Sequence, residues 1–338
     1  MAKKIQKDTI LTVTGIAIAL CAFVGAGFAV SKMIGLKNTD DTTTTTYSRP
    51  TTQAPVLHYQ GKDYQKRENI EVILVMGIDD RKDYSQSEFA INNSQADVLY
   101  VFAIDHDNKT YQAIQLNRDT MTSVQTYASD GRKNTIVNMQ LCLAHSYGKN
   151  DQGRCLNTAE AVSELLFGVP VDHYISLNMK SIPVLNDQVG GVTVEVPSGL
   201  EKADPAFVAG AKVKLQGDQA EKFVRSRMSL ENDSNDFRME RQQIFLNAWK
   251  NQVNEKMSKD SGFALNLVFA LSEYMVSDLT ADGLNNFANQ LKEYTDLGTI
   301  KTTGETIETD DGREFHVDYD DLQKKVIDMF YKEAINEQ

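Results

Sequence analysis

Asp97-Val98-Leu99-Tyr100-Val101-Phe102-Ala103-Ile104, then Asp105-His106-Asp107-Asn108-Lys109, then Tyr111-Gln112-Ala113-Ile114-Gln115-Leu116-Asn117-Arg118-Asp119-Thr120 is the stretch whose reading decides the fold. Two apolar runs rich in β-branched and aromatic residues flank a short Asp/Asn turn, which predicts an antiparallel hairpin. In such a hairpin the start of one strand lies beside the end of the other, so Asp97 and Arg118 are expected to be neighbours. Upstream, Ile70 to Met76 is a third apolar run, which reads as a buried strand. It stops at Gly77-Ile78-Asp79-Asp80-Arg81. Open α/β sheets build their sites past the carboxyl ends of such strands.

Downstream the elements alternate. Gln125 to Lys133 reads as irregular and Val137 to Tyr147 as helical. Asn157-Thr158-Ala159-Glu160 resembles a capping box opening a helix to Phe167, stopped by Gly168. Val171 to Leu177 is the next expected strand, Ser181 to Asp187 a helical turn, and Val192 to Val196 an alternating strand. Helices are expected over Leu215 to Phe223, Asp236 to Met257, Gly262 to Leu279, Asp282 to Tyr294 and Asp318 to Ala334. A polar hairpin over Ile300 to Val317 turns at Asp310-Asp311-Gly312. Strands interspersed with helices give an α/β domain with a mixed central sheet flanked by helices, from about residue 69 to 338.

Four arginines, Arg225, Arg227, Arg238 and Arg241, crowd a short stretch of a chain whose formal net charge is −12. Arginine presents a planar fork of donors that suits phosphate. The simpler reading is ion pairing with Glu221, Glu231, Asp233, Asp236 and Glu240 on a solvated face. Arg238 and Gln242 lie one helical turn apart, with Arg241 beside them. A pI near 5.0 argues against nucleic acid as a partner. The five histidines, His58, His106, His145, His173 and His316, are scattered without ligand spacing or an evident partner. No Walker loop, Gly-x-Ser-x-Gly elbow or Cys-x-x-Cys pair is present.

Thr9 to Val30 is a run of 22 residues without a charge, enough to span a bilayer. Lys3, Lys4 and Lys7 precede it, which predicts a single-pass signal anchor with residues 1–8 cytoplasmic and the rest outside the cell. Residues 31–68, with five consecutive threonines, read as an extracytoplasmic linker; Tyr59 to Arg67 reads as its end or as a first edge element. Cys142 and Cys155 would then lie outside the cell, either as a disulfide or as two buried thiols.

Six pieces in order resemble the LytR-CpsA-Psr family of membrane-anchored cell-wall enzymes. They are the strand into Gly77-Ile78-Asp79-Asp80-Arg81, Asp97 before an apolar strand, and Arg118-Asp119-Thr120 after the next. Asp187 to Val194, Arg225-Ser226-Arg227, and Arg238 with Arg241-Gln242 complete the series. The resemblance covers about Ile70 to Trp249. It implies transfer of an anionic glycopolymer, a teichoic acid or capsular polysaccharide, from an undecaprenyl-pyrophosphate carrier to peptidoglycan at the membrane of a Gram-positive-type envelope. It further implies that Arg118, Arg225, Arg227, Arg238 and Gln242 bind the pyrophosphate, with Arg81 as an added phosphate or acid partner. Asp79 and Asp97 would hold magnesium, or manganese in its place, one of them serving instead as general base. A lipid tunnel inside the fold is implied without assigned residues. The family's usual proline before Arg-Asp-Thr is Asn117 here, and no glycine separates Phe237 from Arg238. The same residues could serve a non-catalytic polyprenyl-phosphate or wall-polymer binder, or a lipid-pyrophosphate hydrolase. Two acids among the arginines favour chemistry, because a binder needs only the cations.

Overall fold

The computed structural model describes residues 54–79, 94–128, 130–226, 235–260, 263–280, 293–310 and 312–334. The expected membrane span, most of the linker, Arg81, Arg227 and the helix expected from Asp282 lie largely or wholly outside them. No helix among the described residues is long and apolar enough to cross a membrane.

Short strands β1 (Leu57–Tyr59) and β2 (Lys62–Lys66) lead into β3 (Ile70–Ile78), β4 (Ala96–Asp105) and β5 (Thr110–Leu116). The expected hairpin is β4–β5, in antiparallel register with Leu99 opposite Leu116. On its other edge β4 pairs antiparallel with β3. Strand β8 (His173–Asn178) then adds parallel to β3, which makes the central sheet mixed. Because both faces of β3 are covered, it reads from Val72 to Met76 as a continuous apolar run rather than an alternating one. Ile73 and Val75 belong to one core cluster, while Val72, Leu74 and Met76 belong to the other. Each such side chain contributes roughly 1.5–3 kcal/mol by burial.

Several elements depart from the sequence reading. Residues 121–140 form the two-stranded ribbon β6 (Met121–Tyr127) and β7 (Lys133–Gln140), followed by a 3₁₀ turn over Leu141–Ser146, instead of a helix. Thr122, Val124 and Thr126 are its buried alternate positions, a two-residue period that suits a strand. Helix α1 (Asp151–Leu165) starts six residues before the expected cap, because Asn150 accepts the Gly153 amide at 2.7 Å. Asn157 is therefore inside the helix, where its amide reaches the Ala144 and Gln125 carbonyls at 2.9 and 3.1 Å. Gly168, at φ +82°, does end that segment, its amide bonded to the Ser163 carbonyl.

Helices α2 (Ser181–Gln188), α3 (Asp218–Arg225), α4 (Asn235–Lys259) and α5 (Phe263–Leu271) follow, with the ribbon of β9 (Thr193–Glu195) and β10 (Lys212–Lys214) between α2 and α3. The helix expected to reach Leu279 stops at Leu271. The chain then turns into β11 (Met275–Ser277), whose edge position on β8 satisfies its backbone. Strand β12 (Thr295–Lys301) was not anticipated: it is polar, yet it adds parallel to β5 at the opposite edge. The expected polar hairpin is β13 (Gly304–Thr309) and β14 (Gly312–Val317). Helix α6 (Tyr319–Phe330) ends before Ala334, and β15 (Tyr331–Glu333) pairs with β2. Part of the stretch read as linker thus belongs to the folded body, its strands held by the far end of the chain.

Of the two readings of the cysteines, the buried thiols hold: Cys142 and Cys155 are free, and the possible disulfide between them is not formed. Cys142 Sγ faces Gln95 at 4.0 Å, whereas Cys155 Sγ faces His145 Nε2 at 3.8 Å. The histidines do have partners: His106 and His173 both meet Glu71, at 3.1 and 3.7 Å, at the end of the sheet remote from Asp79.

Lys250, on α4, is buried and its ammonium has no hydrogen-bond partner among the described residues. Burial lowers its pKa to about 8, against the pull of Asp296 on β12. The unfolded chain keeps this proton to about pH 10.4. Between those values the unfolded state binds more protons, so stability rises with pH. Lys250→Met is expected to raise Tm at pH 7 by a few degrees, the scale of about 1 kcal/mol in a domain this size, and to flatten the rise in Tm between pH 8 and 10. Thermal melts at pH 7 and 10 check both; an equal rise in variant and wild type would contradict it.

Candidate active site

The site begins with an irregularity where β3 and β4 meet. Gly77 pairs with Val98 but Ile78 pairs with Ala96, so Asp97 is the extra residue of a β-bulge. Bulges re-aim side chains, and this one turns Asp97 out of the strand's alternation. Gly77 permits the close approach: a Cβ there would lie 3.0 Å from the Val98 Cβ. The Asp79 amide closes the end of the pair on the Gln95 carbonyl at 2.8 Å.

Arg118, just past β5, donates from Nη1 to Asp97, from Nε to Asp119 at 3.0 Å and from Nη2 to the Gln95 side chain at 2.7 Å. The predicted adjacency of Asp97 and Arg118 therefore holds. Burial works against the Arg118 charge, but Cys142, Asp97 and Asp119 outweigh it and raise its pKa. Asn117 shapes the turn after β5 with local hydrogen bonds. Its side chain accepts the Asp119 amide at 3.0 Å and its carbonyl accepts the Thr120 hydroxyl at 2.7 Å, which together fix an Asx turn.

Asp97 also meets the second arginine group. Arg238 Nη1, from α4, lies 3.4 Å from its other oxygen. Arg225, in the last turn of α3, donates to Asp79 at 2.8 Å and to Glu221 at 3.3 Å. The fold thus brings Asp79, Asp97, Arg118, Arg225, Arg238 and Gln242 together, although they come from five separate elements. Arg241 points elsewhere. It is buried and donates to the carbonyls of Phe223 and Ser226, at 3.1 and 2.6 Å, satisfying the open end of α3 beside Arg225.

Two cavities share these charged groups. One is a polar cleft of about 660 Å³ lined by Asp79, Asp97, Asp218, Glu221, Lys222, Arg225, Ser226 and Arg238. The other, of about 130 Å³, is apolar, with Val75, Val98, Tyr100, Ile182, Leu185, Phe245, Leu246 and Trp249 in its walls. Asp97, Arg225 and Arg238 line both, so the ions stand where the polar cleft meets the apolar cavity. Sequence reading assigned none of the apolar lining. The signal was nevertheless present: Arg238, Gln242, Phe245, Leu246 and Trp249 follow helical spacing on one face of α4. The buried Gln242 leaves its side-chain oxygen without a hydrogen-bond partner among the described residues.

Other reactive groups beside the site are inert. Burial pushes the Cys142 thiol up to about 12 despite Arg118, and also raises Cys155. Burial, with Arg154 nearby, lowers His145 to about 3, so its ring is neutral at physiological pH. None of the three is a ready nucleophile or proton carrier.

The chain and its fold have clear relatives. TagU of Halalkalibacterium halodurans, a polyisoprenyl-teichoic acid–peptidoglycan teichoic acid transferase, is 26% identical over 238 residues, covering 69% of each chain. TagV of Bacillus subtilis, of the same description, is 28% identical over 199 residues, covering 57% of this chain but only 45% of TagV. The structure of TagT bound to LI-WTA superposes with a TM-score of 0.57 at 19% identity, covering 78% of this chain and 90% of that one. Protein gbs0355 of Streptococcus agalactiae gives 0.59 at 19% identity, covering 79% and 90%. The LytR_cpsA_psr sequence profile matches residues 31–333, nearly the whole folded body and the stretch before it, and the chain belongs to the LytR_cpsA_psr family.

Proposed function

We propose that this protein transfers an anionic glycopolymer from a polyprenyl-pyrophosphate carrier, of the undecaprenyl type, to a peptidoglycan hydroxyl. In this reading the chain is held to the membrane by residues 9–30, with the folded body outside the cell. The observation that carries it is the junction of the two cavities. An ionic cluster at the mouth of an apolar cavity matches an amphiphile whose charged bridge is joined to a hydrocarbon chain. The relatives' names supply the reaction class.

Phosphoryl transfer depends chiefly on positioning and charge stabilisation. The apolar cavity takes the start of the prenyl chain, and Arg118, Arg225 and Arg238, with Gln242, hold the pyrophosphate oxygens. The acceptor hydroxyl attacks the phosphorus that bears the glycan. A new P–O bond forms, the bond to the bridging oxygen breaks, and the prenyl monophosphate leaves against the arginines. The hydroxyl proton passes to Asp79 or Asp97. Both carboxylates are paired with arginine before substrate arrives, so the substrate phosphates compete with the acids for the same guanidinium groups.

Charge favours a cation as the remaining component. Among the described residues of the polar cleft, three cations face four carboxylates, so two further phosphate charges would be poorly balanced. No group of three or more His, Cys, Asp or Glu side chains there forms a ready-made metal site. Magnesium, however, is commonly held by one or two carboxylates plus substrate phosphates, and Asp79 and Asp97 fit that role. Magnesium, or manganese in its place, would supply charge neutralisation at the phosphates.

Transfer by the full-length protein in detergent, from a lipid-pyrophosphate glycan to peptidoglycan, tests this reading. Arg118→Ala is expected to reduce kcat/KM by at least 100-fold, the scale of losing one stabilising donor, and loss of both Asp79 and Asp97 should abolish transfer. Transfer that survives either change would sink the assignment. Leu246→Trp, which fills the apolar cavity, should eliminate co-purifying polyprenyl phosphate by mass spectrometry while the fold melts normally. Arg241→Met is expected to lower kcat roughly ten-fold with Arg241→Lys partly restoring it, because Arg241 positions the end of α3 rather than touching substrate. Equal activity in the wild type and both variants would remove that role.

A further inference from the structure

Helix α3 presents more to the polar cleft than Arg225. Asp218, Glu221, Lys222 and Arg225 all line it. Their spacing of three, four and seven places them on one helical face, and Asp218 lies about 10 Å along the axis from Arg225. Of the cations in this cleft, Arg225 and Arg238 also line the apolar cavity, whereas Lys222 does not. Lys222 therefore stands on the side of the cradle away from the prenyl chain.

Its local pairing leaves it available. Lys222 Nζ is 3.3 Å from Asp204, with the lysine side chain 50% exposed. The lysine meets Asp204 Oδ2, while the Ala206 amide at 3.0 Å and the Gln219 side chain at 3.4 Å hold Oδ1, so the carboxylate keeps two other donors when Lys222 turns away. The Ala206 amide is the foremost reason that carboxylate has a lowered pKa. Only the lysine end of the pair is exposed, and water screens its charge, which limits what the contact adds to the fold. A lysine that lines the cleft with its head group on a neighbouring carboxylate is a flexible point charge able to swing toward an anion there.

Resting on the transferase reading above, we propose that Lys222 is a donor-specificity residue that binds a negative charge on the glycan next to the pyrophosphate. The ligand class is an anionic saccharide, bearing either phosphodiester or carboxylate groups, linked to polyprenyl pyrophosphate. The neighbouring Asp218 and Glu221 accept hydrogen bonds from its hydroxyl groups. Lys222 takes no part in bond breaking, so its effect falls on KM.

Three donors with one prenyl chain and one acceptor test this: a neutral disaccharide, a phosphoglycerol-bearing one and a uronate-bearing one. With full-length protein, Lys222→Met should raise KM about ten-fold, worth roughly 1.4 kcal/mol, for one or both charged donors. The KM for the neutral donor should change less than two-fold. Lys222→Arg should restore binding, and added salt should erase the difference between donors. The two charged donors separate phosphate from carboxylate recognition. An equal effect on all three donors, or none on any, overturns the proposal. Equilibrium binding of the same donors gives the same comparison without turnover. Wild type that binds the donors but transfers none refutes the transferase reading alone, and wild type that binds none refutes both.

Discussion

The structure of this site depends on one shared carboxylate. Asp97 takes Arg118 on one oxygen and Arg238 on the other, with side-chain exposures of only 5%, 10% and 11%. Withdrawing such charges from water costs several kcal/mol per ion, recovered only when each is well paired. Removing one member costs more than the set contributes to stability, since it strands the others. The triad therefore fastens three pieces of chain, the β4 bulge, the end of β5 and the start of α4, at one point.

The same constraint explains the form of the two cavities. Helix α4 is tied to the sheet at Arg238, and further along Phe245 and Trp249 enter the core it shares with the sheet, Trp249 donating to the Leu185 carbonyl of α2 at 2.6 Å. Between these points the sheet and helices leave an apolar space whose mouth carries the ions. Polar groups cannot line its interior cheaply. Charge consequently collects at the rim, where a ligand that is both charged and oily finds each of its halves matched. Arg241 uses the same helix turn differently, satisfying backbone carbonyls so that Arg225 projects from an ordered helix end.

Much of this was legible in the chain because it was local. The apolar runs of β3, β4 and β5, their turn, and the opposition of Asp97 to Arg118 follow from strand periodicity alone. The four-residue spacing from Arg238 to Gln242 by itself puts both on one side of a helix. Errors arose where a distant partner outweighed local pattern. Asn157 looked like a cap until Ala144 and Gln125 claimed its amide, and β12 looked polar until the edge of β5 took it. Two cysteines thirteen positions apart invited a bond, but each thiol faces a different neighbour.

By itself, the sequence determined the family and the mixed α/β class and singled out Asp79, Asp97, Arg118, Arg225 and Arg238, though not Asp218 or Lys222, because strand and helix periods and ordered motifs are written in consecutive residues. Tertiary structure alone decided that Arg225 and Arg238, from the helices, meet the aspartates of the sheet. Arg225 reaches Asp79 across 146 residues and Arg238 reaches Asp97 across 141. It alone opened the apolar cavity beside them, since an empty space belongs to no segment and exists only where several elements fail to fill the volume they enclose.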